Sequence, residues 1–290
     1  MRMRAALLVL VACAATGCGS AKHALTPATR AATLPVPTGL RVAVVGRLDL
    51  HVTGATVTHS TLAGAAAAAV VLVSARSTGL HDVARAAAAN PSTHYAFVGG
   101  STRGARRPNL TGVVLRDDQA AFLGGVVAAL VARDDGGSQR RVAWVGPESR
   151  RLTAAFARGA HAVDPSVEIL IALSAGVPAA CKEAALGATA RGAVVIMAEG
   201  GGCADAAVAG SHQANHVGLR LADFELPDVA ATQIAREGVA GVFHGGEDVV
   251  FGTASGAIGV ARLDPRISPT TAIAARTAAQ QVASGQRPSG

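Results

Sequence analysis

Short Val-rich runs alternate along this chain with longer Ala-rich segments, and that alternation restricts the fold more than any other feature. The apolar runs fall at 41–46 (RVAVVG), 70–74 (VVLVS), 95–98 (YAFV), 110–115 (LTGVVL), 142–146 (VAWVG), 167–173 (VEILIAL), 194–198 (VVIMA) and 217–221 (VGLRL). Between and after them, helices are expected over 80–89, 117–133, 151–163, 179–190, 204–213, 227–237 and 269–284. A strand buried on both faces reads as a continuous apolar run, and a regular βα order implies parallel sheets covered by helices. The expected class is α/β, with two doubly wound parallel-sheet lobes and a hinge. Asp117-Asp118 and Pro178 stand where helices begin, as acids and proline do at an N-terminus.

The βα order restarts at Val142, after the linker Asp134-Asp135-Gly136-Gly137-Ser138. The expected divisions are a leader at 1–17, a tether at 18–38, a first lobe at 39–116 and a second lobe at 117–221. Hinge crossings and return segments follow at 222–290, with less regular strands at 241–246, 249–252 and 257–261. In open α/β sheets ligands sit beyond the carboxyl ends of the strands.

The first residues, MRMRAALLVLVACAATGC, place Arg2 and Arg4 before an eleven-residue apolar run, Ala5 to Ala15. That run is too short to span a bilayer, which takes about 20 apolar residues. It has the size of a signal-peptide core followed by small residues at a cleavage point. Ala15-Thr16-Gly17-Cys18 resembles a bacterial lipobox, which implies cleavage before Cys18 and lipid, including palmitate, on that residue. An ordinary secretory leader with an incidental cysteine is the plainer alternative. Residues 19–38 (GSAKHALTPATRAATLPVPT) read as a flexible tether. The expected location is the outer face of a bacterial cell membrane, held by a lipid anchor.

Formal charge is +7, which loss of Arg2 and Arg4 with a leader would lower by two. The arginines are scattered, their densest cluster (Arg103, Arg106, Arg107) lies in one Gly-rich loop, and only 3% of residues are aromatic. A nucleic-acid partner is not expected; a basic surface near anionic headgroups accounts for the charge more simply. Once Cys13 leaves with the leader and Cys18 is acylated, Cys181 and Cys203 remain. An even pair in an oxidising compartment is expected to form a disulfide, with two buried thiols as the alternative. Cys181 opens a helix and Cys203 follows a strand, so both belong at one edge of a parallel sheet.

No catalytic set stands out, no cofactor is expected, and no metal site is expected. His212 and His216 are four apart, but Asn215 suggests that their helix has ended. Asp117-Asp118 reads as a helix start rather than an acid/base pair. Glu199-Gly200-Gly201-Gly202 lies at a strand end and opens a helix, where glycines let backbone N–H groups approach a ligand. Ligand contact and plain turn geometry both remain open there.

The ordered set NPSTHYAFVGG, NLTGVVLRDDQAAFLGGVVAALVA, RRVAWVGPES, FARGAHAVDPSVEI, KEAALGATARGAVVIMAEGGG and GVFHGGEDVVFGTASGAIGVARLD resembles the basic membrane protein family, the PnrA-like substrate-binding lipoproteins of ABC transporters. The resemblance runs from about residue 66 to the C-terminus. It implies a periplasmic-binding-protein type I-like fold, a small-molecule ligand between two lobes and an ABC permease as partner. Members of known type bind purine nucleosides. Departures from the family pattern fall at expected ligand positions. Only 23 residues separate Gly46 from Val70, Gly99 stands where a carboxylate is usual, Ala175 where an aromatic is usual, and Arg220 where an acid is usual.

The expected rim of the cleft is Ser74, Arg76, Gly99, Gly100, Glu199, Gly200, Gly201, Gly202 and Arg220. With two arginines and few acids or rings it suits an anionic solute better than a nucleoside. The expected function is an extracytoplasmic solute-binding lipoprotein of an ABC-type importer. The alternative is a non-transporting lipoprotein that kept the scaffold as a sensor or interaction partner.

Overall fold

The computed structural model describes residues 40–135, 137 and 140–288. The leader, Cys18 and the tether lie outside the described residues. Every paired strand is parallel to its neighbours, in two separate sheets. The first sheet contains β1 (Leu40–Val45), β2 (Ala55–His59), β3 (Val70–Ser74), β4 (His94–Val98), β5 (Leu110–Leu115) and β10 (Asp248–Phe251), in the order β10-β5-β4-β3-β1-β2. The second contains β6 (Arg141–Gly146), β7 (Glu168–Leu173), β8 (Ala193–Ala198) and β9 (Val217–Arg220), in the order β7-β6-β8-β9. The two parallel-sheet lobes of the sequence reading are present.

Seven α-helices are described: α1 (Leu80–Ala89), α2 (Asp117–Asp134), α3 (Arg150–Val163), α4 (Pro178–Ala190), α5 (Gly201–Gln213), α6 (Pro227–Val239) and α7 (Pro269–Ala283). The space between Gly46 and Val70 holds one strand, β2, and a single 3₁₀ turn at Gly64–Ala67. The C-terminal third differs from expectation. Of its three expected strands only β10 forms; 241–246 is turn and coil, and 257–261 contributes one bridge, Ile258 to Glu225. Gly241, Gly245, Gly246, Gly256 and Gly259 interrupt these runs, and Gly241, Gly246 and Gly256 take positive φ, so an extended ladder cannot propagate.

Helix α2 is apolar nearly all round because it is covered nearly all round: every residue from Leu123 to Ala132 is buried. It packs on α3, on α7 and on the face of the second sheet. Small residues allow the close α2–α3 crossing. A Cβ on Gly125 would overlap the Phe156 carbonyl, and one on Gly159 would overlap the Phe122 carbonyl. One apolar core runs from Val42, Val44 and Leu72 through α2 to Trp144 and Met197.

The chain passes between the sheets three times, and the crossing segments are laced together. The Arg116 N–H donates to the Phe251 carbonyl at 2.9 Å, and the Thr253 N–H to Gln119 Oε1 at 2.8 Å. The Leu226 N–H donates to the Ala257 carbonyl at 2.8 Å, and the Gly259 N–H to the Phe224 carbonyl at 3.0 Å. Such short segments at one level form a hinge at which two lobes can rotate.

Candidate ligand site between the lobes

Strand ends and crossing segments supply the site. Because β3 and β4 are parallel neighbours, Ser74 and Val98 end them side by side. Gly99 turns the chain away from β4 at φ +85°, a conformation that side chains with a Cβ rarely adopt. The first crossing brings Asp117 in at the N-terminus of α2, and the second brings in Glu225 just before α6. These residues, with Arg47, Arg76, Leu115 and Pro227, line a cavity of about 190 Å³. That is small against the roughly 300–1,000 Å³ usual for drug-sized ligands.

The second sheet contributes Glu199, at the end of β8. The site Gly146 at the end of β6 is flanked by the Glu199 Cβ and by Trp144 Nε1; a Cβ on Gly146 would lie 3.2 Å and 3.4 Å from them. Glu199 Oε2 and Trp144 Nε1 are buried and have no hydrogen-bond partner within the chain. A buried acceptor left unpaired costs about 1–3 kcal/mol, so such groups concentrate where something else binds.

Asp117, Glu199 and Glu225 interact electrostatically, and all three carboxyls are pushed above their ordinary range. Burial is the main cause for each, reinforced for Glu199 and Glu225 by the charge on Asp117. Two arginines oppose the acids. Arg76 Nη2 donates to Glu225 Oε2 at 3.0 Å, and Arg151 lies 3.8 Å from Asp117 and 3.2 Å from Asp118. Asp117 and Glu225 thus share the cavity with Arg47 and Arg76, and Arg151 stands beside Asp117.

The chain's own partners change the reading of the rim. Arg76 is committed to Glu225. Arg220 Nε donates to Asp205 at 2.7 Å, and its guanidinium lies 3.9 Å from Asp223. Neither is a free anion receptor, and acids outnumber the expectation. Ser74, Arg76 and Gly99 share the cavity, with Glu199 within electrostatic reach of its acids. Gly100 does not line the cavity; it seats the Phe97 ring, which a Cβ there would overlap. Gly200, at φ +85°, makes the turn into α5, whose first residues are Gly201 and Gly202.

Asp117 and Glu225 escaped the sequence reading. Asp117 was legible only as a helix start, and Glu225 follows a 3₁₀ turn with no motif around it. Cys181 and Cys203 are joined as a disulfide with a Cα–Cα separation of 5.3 Å, tying α4 to the start of α5. His212 is not paired with His216 on one helix, since α5 ends at Gln213; it instead bonds Asp264 at 2.6 Å. Among the described residues no group of three His, Cys, Asp or Glu is arranged to hold a metal ion.

The family model described as ABC transporter substrate-binding protein, PnrA-like, matches residues 54–215. The chain belongs to this PnrA-like family. It is a family of substrate-binding proteins rather than of enzymes. No curated protein sequence is significantly similar to this member. Among solved structures it is similar to the solute-binding protein of an ABC transporter system from Conexibacter woesei DSM 14684, at 19% identity and TM-score 0.56, covering 85% of this chain and 97% of that one. The ABC transporter solute-binding protein from Aeropyrum pernix K1 is similar at 17% identity and TM-score 0.54, covering 86% and 81%. A transcriptional activator of the comK gene from Bacillus halodurans matches at 13% identity and TM-score 0.59, covering 86% and 100%. At these identities the likeness shows the PnrA-like member's fold alone. Among the described residues no helix is long and apolar enough to cross a membrane.

Proposed function

We propose that this PnrA-like protein is an extracytoplasmic, lipid-anchored receptor that binds a small, hydroxyl-bearing solute between its lobes and presents it to an ABC permease. The observation that carries the ligand class is the convergence of Asp117, Glu199 and Glu225, with Glu199 Oε2 left without a partner. Ionised carboxylates only accept hydrogen bonds. They suit ligand hydroxyl or ammonium donors and oppose an anion. This replaces the anionic solute expected from Arg76 and Arg220. A hydroxyl that donates to Glu199 and accepts from Trp144 Nε1 would satisfy both buried atoms.

A purine nucleoside fits less well. Among the described residues no ring lines the cavity, so a base finds no aromatic face there to stack on. The test is calorimetry with small polyols, monosaccharides, amino compounds and purine nucleosides. A neutral or cationic hydroxylated solute is expected to bind, and nucleosides to bind no tighter than roughly 100 μM, about −5.5 kcal/mol. Micromolar binding of adenosine, guanosine or inosine overturns the ligand class.

The anchor is proposed from Ala15-Thr16-Gly17-Cys18 alone. Radiolabelled palmitate is expected to enter the protein and to be lost in Cys18→Ser. Equal labelling of that variant overturns the anchor and leaves the ligand reading untouched.

A further inference from the structure

A second concave surface lies away from the cleft, on the outer face of the first sheet. Helix α1 and the loop that links β4 to β5 enclose a groove of about 550 Å³. His81, Arg85, Arg106 and Arg107 line it, the rest of the lining is alanine and glycine, and no carboxylate is among the described lining residues. Arg103, Arg106 and Arg107 are exposed, and the Arg85 side chain is 78% exposed.

The nearby acids offset only part of this charge. Asp82 pairs with Arg85 at 2.9 Å. Asp248 is engaged by the Ser101 and Thr102 hydroxyls and feels the charge of Arg106. Glu247 is exposed beside it.

We infer that this basic groove docks the protein on an anionic phospholipid surface. Charge selects the occupant class, since Arg guanidinium groups match phosphate oxygens and each contributes near an anionic bilayer. Chain direction selects the membrane. Arg106 and Arg107 immediately precede β5, and the strands are parallel, so the loop end reaches the pole at which Leu40 begins β1. The N-terminal segment carrying Cys18 joins the domain at that same pole. With 21 residues between Cys18 and Leu40, the segment reaches at most roughly 75 Å when extended. Docking would hold the domain close to the bilayer, leaving the strand carboxyl ends and their cleft free.

The inference uses the proposed anchor only to bring the domain near the surface, and its test separates the two. Full-length protein is mixed with vesicles of phosphatidylcholine alone or with phosphatidylglycerol added, and amide hydrogen exchange is followed over 80–89 and 101–110. Exchange there is expected to slow at least threefold with phosphatidylglycerol, and to recover near 1 M salt, where the Debye length is about 3 Å. The triple variant Arg85→Ala/Arg106→Ala/Arg107→Ala, compared with itself on phosphatidylcholine, is expected to show no such slowing.

Identical exchange on the two vesicle types overturns docking. Equal slowing by inorganic phosphate on phosphatidylcholine vesicles also overturns it, in favour of a free-anion site. If the anchor reading fails, the protein does not sediment with phosphatidylcholine. Sedimentation that still requires phosphatidylglycerol then supports docking by itself, and its absence overturns docking.

Discussion

Arg76, just beyond β3, bonds Glu225, just before α6, at 3.0 Å. One residue belongs to a strand end of the first sheet and the other to the second crossing between sheets, so the pair ties a cleft wall to the hinge. The Arg76 side chain is 66% exposed and that of Glu225 only 13%. With its cation in solvent, such a pair contributes up to about 1 kcal/mol.

Removing the cation tests the pair. Glu225 titrates above its ordinary value, mainly through burial and despite Arg76. The attraction exists only while Glu225 is ionised, so it is present at neutral pH and lost as pH falls through the raised Glu225 pKa. Arg76→Ala is expected to lower the melting temperature slightly at pH 7 and to match the parent near pH 4, about the unperturbed glutamate value. An equal loss at both pH values in thermal denaturation contradicts this.

Glu199→Gln should act with the opposite sign. Burial raises the Glu199 pKa, with Asp117 adding to the shift. Ionisation therefore costs the folded state more than the unfolded one. That cost is absent below the unfolded pKa and complete once pH has risen above the folded pKa. In unliganded protein the substitution is expected to raise the melting temperature at pH 7 and to leave it unchanged near pH 4. A lowered melting temperature at pH 7 would mean that Glu199 has a stabilising partner.

The Cys181–Cys203 bridge spans 22 residues of sequence. For a loop of that size the chain-entropy treatment gives about 3 kcal/mol of stabilisation. Denatured, unreduced protein is expected to show neither of these two cysteines as a free thiol, and reduction is expected to shift the denaturation midpoint by a comparable free energy. Both thiols titrating before reduction would contradict it.

Gly125→Ala introduces a methyl into the Phe156 carbonyl at the α2–α3 crossing. Overpacking of this kind costs about 1–3 kcal/mol, against the gain of up to about 1 kcal/mol that alanine brings to an exposed helix. Net destabilisation in urea unfolding is expected, and a more stable variant would contradict the close crossing.

The fold was legible because Val-rich runs bounded by turn residues leave little choice: runs such as VVLVS and VAWVG can be buried on both faces only in a covered parallel sheet. The disulfide was legible for the same reason, since Cys181 and Cys203 follow from the βαβ repeat. The C-terminal strands were not, because Gly-rich runs at 241–246 and 257–261 carry apolar residues without the regular backbone that a ladder needs. The site was half legible. Ser74, Arg76, Gly99 and Glu199 sit at strand ends, which periodicity locates. Asp117 and Glu225 come from crossings, whose meeting is set by tertiary path. The pairing of Arg76 with Glu225 and of Arg220 with Asp205 and Asp223 has no local signal, so charge counted along the sequence does not show which cations are already matched by the chain's own acids.

The acids of the interlobe cleft are proposed to hold a small hydroxylated solute. The most direct measurement is mass spectrometry of small molecules released on denaturing protein purified from its own cells, for the parent and for Asp117→Asn/Glu199→Gln. A neutral or cationic, hydroxyl-bearing solute is expected in the parent and is expected to be lost from the variant, with both proteins folded by circular dichroism. An anionic solute in the parent, or equal retention by a folded variant, would contradict it.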